Sequence, residues 1–280
     1  MAEIPGFDVD AFVAATLAED AGARGDITSQ AVIPADARFA GVMDSRDEIT
    51  VCGLPLAEAF FRALDPNVEI ERLAEDGARV AKGTDLMRIA GNALALLTAE
   101  RPALNTVQHL SGIATMASRY VDAVAGTGAV VLDTRKTHPG LRLLQKYAVR
   151  TGGATNHRMT LGVQPMIKDN HVAVAGTVGE AVRRAKDAGL TDIVVEVDRV
   201  DQIEPALAAG ADRLLLDNMP PPVLREALAV VRGRVPTEAS GGVNLDTIRA
   251  IAETGVDFVS VGRIIQSAPA ADVGLDFQAG

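Results

Sequence analysis

The chain of 280 residues carries 37 acidic and 27 basic side chains, a formal net charge of −10, and 48% of its residues are hydrophobic. This is enough apolar material for a core, and the acidic balance argues against bulk nucleic-acid binding, which requires a basic face. No apolar run approaches the ~20 residues of a membrane helix, and the N-terminus lacks a leader pattern. Cys52 is the single cysteine and lies among apolar residues, so we expect a buried thiol. We therefore expect a cytoplasmic protein.

Residues 1–110 show the pattern of an N-terminal domain that mixes strands and helices. Strand-like alternation and turn signals occupy residues 25–34, 38–53 and 68–91, and residues 55–64 form an amphipathic helical pattern. These elements predict an α+β open sandwich. The C-terminal tail, residues 267–280, is expected to pack back on this domain.

A long helix is predicted over residues 102–124, between the two halves of the chain. Its interior Gly112 costs about 1 kcal/mol relative to Ala, so we expect a bend or close packing there. Arg101 precedes Pro102 at the apparent start of this helix, where the helix dipole disfavours a cation. Either a bound anion offsets that cost or Arg101 is a solvated surface residue.

From about residue 128 onward, short apolar runs alternate with helical patterns. Continuous Val, Leu and Ile indicate strands that are buried on both faces, and the β–α rhythm predicts an α/β barrel over residues 111–266. With a short strand near residues 155–158 the barrel has seven strands and is incomplete; an open doubly wound sheet is the alternative. The six clearest runs are residues 129–136, 166–171, 192–198, 213–218, 236–242 and 258–262.

Positive charge is concentrated in one segment of this acidic chain. Residues 132–171 contain seven Lys and Arg against two Asp, and the four histidines lie between residues 109 and 171. The segment predicts a local anion site, although a solvated basic surface has the same composition.

The carboxyl ends of barrel strands meet on one face, so the residues at those ends are site candidates. The first group is cationic and suits planar carboxylates: Arg135, Lys136, Arg158 and Lys168, with Thr134 and His157 beside them. The third group is small and suits a phosphate held by backbone N–H groups: Ser240, Gly241, Gly242 and Gly262. The second group, which lies between these two in chain order, consists of two carboxylates.

Glu196 and Asp217 form the second group, at the ends of successive strands. Paired carboxylates bind sugar hydroxyls, hold Mg²⁺ or stabilise a developing cation. A structural ion pair with Lys136 or Lys168 is the alternative. The three groups together predict a phosphosugar and a small acid as ligands. A dedicated metal site of histidines and cysteines is disfavoured, because the His spacing is not that of metal ligands.

Long ordered motifs in the chain resemble quinolinate phosphoribosyltransferase, the carboxylating nicotinate-nucleotide pyrophosphorylase family. The similarity begins at GDIT (25–28) and extends to the end of the chain. Its most specific stretches are ERPALNTVQHLSGIAT (100–115), LDTRKTHPGLRLLQKYAVRTGG (132–153), NHRM (156–159), IKDNH (167–171), LLLDN (214–218) and EASGG (238–242).

The resemblance implies transfer of phosphoribosyl from phosphoribosyl pyrophosphate to quinolinate with decarboxylation, in NAD biosynthesis and with Mg²⁺. It also implies a homodimer, or a higher oligomer, in which Arg101 reaches the neighbouring subunit's site. The residues implied to hold the quinolinate carboxylates are Arg101, Arg135, His157, Arg158 and Lys168. Those implied for the ribose, pyrophosphate and metal are Lys136, Glu196 and Asp217, with Ser240, Gly241, Gly242 and Gly262 around a phosphate.

The chain departs from the family pattern after NHRM, where residues 160–164 read TLGVQ in place of Gly-Leu and an acidic residue. Two alternatives to the enzyme are a molybdenum-transport-associated paralogue of the same fold and a non-catalytic anion sensor. The motifs NHRM, IKDNH, ERPALN and EASGG together favour the enzyme over the paralogue, and turnover of quinolinate separates the enzyme from the sensor.

Overall fold

The computed structural model describes residues 4–277. Two compact units are present: the first contains the chain up to Ser118, Leu143–Gly153 and the chain from Ala268, and the second contains Arg119–Arg142 and Ala154–Ser267. The sequence placed residues 143–153 in the barrel domain. They join the first unit because Gly152 lies directly against the backbone of Ala114.

The helices and strands are numbered in chain order. The first group comprises α1 (Val9–Ala21), α2 (Ile27–Val32), β1 (Arg38–Ser45), β2 (Ile49–Thr50), α3 (Leu54–Leu64), β3 (Glu69–Arg72), β4 (Arg79–Val80), β5 (Asp85–Asn92) and α4 (Ala93–Ala123). The second comprises β6 (Val130–Leu132), α5 (Arg142–Thr151), β7 (Met166–Ile167), α6 (Asp169–Ala175), α7 (Val178–Asp187), β8 (Val194–Val197), α8 (Ile203–Ala208), β9 (Arg213–Asp217), α9 (Pro221–Val231), β10 (Thr237–Ser240), α10 (Ile248–Ala252), β11 (Phe258–Ser260), α11 (Arg263–Gln266) and β12 (Val273–Phe277).

The first unit is built on an antiparallel sheet of order β12-β1-β5-β3. The amphipathic helix α3 buries Phe60 and Phe61 in a core that also contains Met43 and Met87 of the sheet. The α+β prediction is confirmed. Residues 25–34, however, are not a strand: α2 forms there because the Asp26 side chain accepts a hydrogen bond from Ser29 N at 2.9 Å and caps the helix.

The predicted start of the long helix at residue 102 is wrong. Helix α4 begins at Ala93, where the side-chain oxygen of Asn92 accepts from Ala95 N at 3.1 Å, and Pro102 lies in its interior. The exposed Arg101 is therefore also in the helix interior. The dipole penalty at a helix N-terminus does not act on it, so that argument for an anion at Arg101 no longer holds.

Close packing at Gly112 is confirmed. A Cβ atom at this position would collide with the carbonyl oxygen of Pro269 and would lie 3.2 Å from Ala270 Cα. Gly112 thus allows the backbone that precedes β12 to cross α4 at short range. The missing side chain, which weakens the isolated helix, is required by the packing of this unit.

We expect Gly112→Ala to destabilise the protein by about 1–3 kcal/mol, because backbone cannot yield as a flexible side chain does. Gly179→Ala is the matched control: it lies in α7, where a Cβ atom would find only Pro205 O, at 3.6 Å. There the higher helix propensity of Ala dominates, and the stability should be unchanged or raised by up to about 1 kcal/mol. Urea unfolding followed by circular dichroism measures both; equal midpoints for the two variants would contradict the packing argument.

The second unit contains a parallel sheet of six strands in the order β6-β11-β10-β9-β8-β7. Consecutive strands are neighbours from β7 to β11, and the last of these pairs with β6, the first in sequence. A doubly wound sheet would instead reverse direction at a switch point. A parallel bridge from Leu132 to Thr155 extends the sheet beyond β6, where a short additional strand was predicted. The prediction of an incomplete α/β barrel is confirmed.

The central barrel strands β8 and β9 are buried on both faces, as their continuous apolar sequences predict. Leu214 and Leu216 of β9 and Val194 and Val195 of β8 are fully buried. Since all six strands run in parallel, their carboxyl ends lie at one edge, which is where the polar residues of the sequence motifs occur. Within residues 4–277, no helix combines the length and the apolar character required to cross a membrane.

Candidate active site

A cavity of about 660 Å³ opens at the carboxyl edge of the barrel strands. Every residue predicted for the site, except Arg101, lines it. The lining residues are Thr134, Arg135, Lys136, His157, Arg158, Met166, Lys168, Glu196, Leu215, Asp217, Asn218, Glu238, Ser240, Gly241, Gly242, Val243, Ser260, Gly262, Arg263 and Gln266. The three chemical groups read from the sequence thus converge on one cavity.

Two guanidinium groups, of Arg135 and Arg158, lie near each other in this cavity. Burial lowers the pKa of Arg158, and the positive charge of Arg135 lowers it further. The Nε atom of Arg135 is buried without a hydrogen-bond partner among the described residues. Like charges held together with an unsatisfied donor favour an anion between them, and the planar fork of arginine matches a carboxylate.

The segment that departs from the family pattern holds Arg158 directly. Arg158 Nη1 donates to the carbonyl oxygen of Gln164 at 2.7 Å, and Gln164 Nε2 donates to Asp192 Oδ2 at 2.6 Å. Leu161 and Val163, between these anchors, are about two-thirds exposed. The altered residues 160–164 therefore keep a defined contact with the guanidinium while their apolar side chains face solvent.

The carboxylate pair lies in the same cavity. Glu196, at the end of β8, forms an ion pair with Lys168, and Asp217, at the end of β9, accepts from Asn218 Nδ2 at 2.6 Å. Burial raises the pKa of Asp217, and the negative charge of Glu196 raises it further. Glu196 thus has the structural partner that the alternative reading predicted, and the functional reading of the pair stays a prediction.

The glycine turns allow close approach on the remaining side. Gly241 has φ +89°, and a Cβ atom there would collide with the Asn218 side chain. At Gly262 a Cβ atom would lie 2.9 Å from Lys136 Cδ, so this glycine leaves room for the lysine stem. Backbone N–H groups next to a lysine form a surface suited to a phosphate.

Two further residues of the basic segment do not line the cavity. Arg142 begins α5 and donates to Met159 O at 3.1 Å and Thr137 Oγ1 at 3.1 Å. His138 is exposed. Cys52 is a buried free thiol, as the sequence predicted, and burial raises its pKa well above the ordinary value.

Sequence reasoning missed Glu238, which lines the cavity although its residue is 0% exposed. It lies in β10, whose residues Thr237 and Ala239 are also buried. An ionisable side chain in the middle of a fully buried strand was the available signal, because such residues are rarely buried unless they are paired.

A barrel with paired guanidiniums, paired carboxylates and glycine turns at its carboxyl edge defines an enzyme of the class that binds small anionic substrates. Two family models match the chain: the N-terminal domain of quinolinate phosphoribosyl transferase over residues 26–111 and its C-terminal domain over residues 113–276. The chain belongs to the quinolinate phosphoribosyltransferase family.

Curated relatives and solved structures agree with the family models. The nicotinate-nucleotide pyrophosphorylase [carboxylating] of Mycobacterium leprae is 45% identical, with 90% of each chain covered. The crystal structure of nicotinate-nucleotide pyrophosphorylase from Ehrlichia chaffeensis superposes with a TM-score of 0.93 at 36% identity, covering 98% of this chain and 100% of that one. The Francisella tularensis enzyme gives a TM-score of 0.92 at 39% identity, with 99% and 100% covered. These comparisons do not favour the paralogue or the sensor.

Proposed function

We propose that this chain transfers the phosphoribosyl group from phosphoribosyl pyrophosphate to quinolinate and removes one carboxylate, giving nicotinate mononucleotide, pyrophosphate and CO₂ in NAD biosynthesis. The observation that carries the proposal is the meeting of Arg135 and Arg158 in a cavity that also contains Glu196 and Asp217. One part of the cavity thus suits a dicarboxylic acid, and another suits a ribose that develops positive charge.

The quinolinate carboxylates bind to the cationic part of the cavity. Arg135 has a buried donor available, Arg158 is fixed through Gln164, and Lys168 is held by Glu196. Charge-assisted bonds to two carboxylates hold the pyridine ring in one orientation. Desolvation and repulsion between the guanidiniums favour a ligand with two negative charges over one with a single charge.

The phosphoribosyl donor binds along the opposite part of the cavity. Lys136 faces the departing pyrophosphate beside Gly262, and the turn of Ser240, Gly241 and Gly242 binds the 5′-phosphate. Glu196 and Asp217 face the ribose. This arrangement brings the anomeric carbon and the pyridine nitrogen together, which replaces an encounter of two molecules in solution by a step within one complex.

Magnesium fits this donor set as an ion shared with the substrate. The described residues contain no group of three or more His, Cys, Asp or Glu that could hold a metal by themselves. Mg²⁺ commonly uses one or two carboxylates together with substrate phosphate oxygens and water, so Glu196 and Asp217 would hold it with the pyrophosphate. When bound, it neutralises negative charge on the leaving group.

The chemistry requires no covalent nucleophile from the protein. The pyridine nitrogen of quinolinate attacks the anomeric carbon while the bond to the pyrophosphate oxygen breaks, and Lys136 stabilises the charge that this oxygen gains. Glu196 and Asp217 stabilise the positive charge that develops on the ribose. The product pyridinium then accepts the electron pair of the carbon–carboxylate bond, CO₂ leaves, and the ring carbon takes a proton.

Turnover tests the proposed function directly. Supplied with quinolinate, phosphoribosyl pyrophosphate and Mg²⁺, the purified protein should form nicotinate mononucleotide and CO₂ in equal amounts. Nicotinate in place of quinolinate should react poorly, because it leaves one cationic position unpaired. Equal rates with both acids would contradict the two-carboxylate cavity, and binding without turnover would support the sensor.

We also propose a homodimer in which Arg101 completes the neighbouring subunit's cavity. In support, Arg101 is exposed on α4 and does not line the cavity of its own chain. Cytoplasmic localisation stays a prediction, and the rice relative that is 38% identical is described as chloroplastic.

Mixing inactive variants tests the shared site. A dimer of one Arg101→Ala subunit and one Lys136→Met subunit contains one cavity with both residues intact and one with neither. Random mixing in equal amounts should restore about a quarter of the wild-type activity, since half of the dimers are mixed and each has one intact cavity. Inactive mixtures in which mixed dimers are demonstrated by mass spectrometry would exclude the shared arrangement.

A further inference from the structure

In the wall of the cavity lies a buried polar network that the reaction as described does not use. Its centre is the carboxylate of Glu238, on β10. Glu238 Oε1 accepts from Ser260 Oγ and lies 3.3 Å from His157 Nε2, and Oε2 lies 3.5 Å from Arg213 Nη1. The Glu238 side chain is 0% exposed and that of His157 is 6% exposed.

The hydrogen bond at Nδ1 of His157 defines its tautomer. The backbone N–H of Arg158 donates to His157 Nδ1 at 2.7 Å, so Nδ1 carries the lone pair. In the neutral imidazole the proton is then on Nε2, which faces Glu238 Oε1. One ring nitrogen therefore accepts from the backbone of the substrate-binding arginine, and the other lies within ion-pair distance of the buried carboxylate.

The backbone of the same segment is fixed from the other side by Asp133. His157 N donates to Asp133 Oδ1 at 2.7 Å, and Asn156 Nδ2 donates to Asp133 Oδ2 at 2.7 Å. The ring of His157 thus joins a rigid segment to the strand β10. The adjacent Arg158 guanidinium is held in turn by Gln164, so its backbone and its side chain are both constrained.

We propose that Glu238 is a positioning residue for quinolinate binding: it holds His157 as the Nε2–H tautomer, and His157 in turn fixes the backbone of Arg158 beneath the substrate carboxylate. The inference rests on the proposed function. Burial alone raises the pKa of Glu238, but its neighbours His157, Ser260 and Arg213 together lower it below the ordinary value, so the group stays ionised as an acceptor.

The variants at position 238 test whether the side chain acts as a hydrogen-bond acceptor or only fills space. Glu238→Leu removes the acceptor and should raise the KM for quinolinate about tenfold or more, while kcat and the KM for phosphoribosyl pyrophosphate change by less than about threefold. Glu238→Gln keeps an oxygen that accepts from Nε2–H and should restore the KM for quinolinate to within about threefold of the wild-type value.

Thr237→Val is the matched control, because Thr237 is a buried polar neighbour on the same strand that does not line the cavity. Its Oγ1 donates to Asp257 Oδ2 at 2.8 Å. The variant should lower stability and leave both KM values unchanged. If Thr237→Val raises the KM for quinolinate as much as Glu238→Leu does, general disturbance of β10 explains the effect and the proposal is overturned.

A spectroscopic measurement tests the tautomer without any loss of stability. In ¹⁵N-histidine-labelled wild-type protein at neutral pH, the His157 signals, assigned by their loss in His157→Gln, should show one proton-bearing nitrogen and one with a lone pair. A doubly protonated His157, or a Glu238→Leu protein with unchanged His157 signals, overturns the proposal. Absence of turnover in the wild type would refute the proposed function alone, because the tautomer is measured without substrate.

Discussion

Replacement of Asp217 by Asn is expected to lower kcat by about 10²–10³-fold, the scale of losing one preorganised electrostatic group in a closed site. Burial and the charge of Glu196 together raise the pKa of Asp217, so a positive charge developing nearby relieves repulsion that the free enzyme carries. Asn keeps the shape and removes the charge. Single-turnover rates with both substrates bound measure the effect on chemistry.

The control for Asp217→Asn lies at the other end of the same strand. Asp212 precedes β9 and accepts from Lys186 Nζ at 2.9 Å and from Ile193 N at 2.8 Å, away from the cavity lining. Asp212→Asn should cost stability without lowering kcat by more than about twofold. A kcat for Asp217→Asn within tenfold of the wild-type value would remove this carboxylate from the stabilisation of the ribose cation.

The barrel and the position of its site were predictable because both follow from local pattern. Continuous apolar runs such as residues 213–216 mark strands buried on both faces, and parallel strands must gather the polar residues that follow them. The position of the charged residues Arg135, Glu196 and Asp217 at the carboxyl edge of the barrel therefore follows from the sequence alone. Substrate identity came from resemblance, since spacing alone indicated only a phosphosugar and a small acid.

The errors arose where tertiary structure overrides local signals. Pro102 suggested a helix start, yet α4 begins at Ala93, because a capping Asn92 and burial of residues such as Leu96 and Ala99 stabilise the earlier turns. Glu238 was missed for a related reason. Its partners His157, Arg213 and Ser260 are distant in sequence, and a single sequence contains no signal for which side chains will meet in a buried network.

Replacement of Arg158 by Ala is expected to weaken quinolinate binding by about 1.5–3 kcal/mol, or roughly 10- to 150-fold in Kd, the range for losing a charge-assisted hydrogen bond. The loss is selective, because Arg158 lies beside Arg135 and makes its protein contact through the carbonyl oxygen of Gln164. Binding of phosphoribosyl pyrophosphate should change by less than about threefold, since no phosphate-binding group is removed. Isothermal titration with each ligand separates the two effects.

Arg199 provides a matched arginine near the same edge of the barrel. It follows β8, is exposed, pairs with Asp201 at 3.0 Å and does not line the cavity. Arg199→Ala removes an equal charge from this edge and should leave quinolinate affinity unchanged, because exposed charges are screened by salt. If both variants weaken quinolinate binding equally, the long-range field of the charges at this edge attracts the substrate, and a direct contact with Arg158 is excluded. A loss confined to Arg158→Ala, and persisting at high salt, identifies a direct contact with a carboxylate.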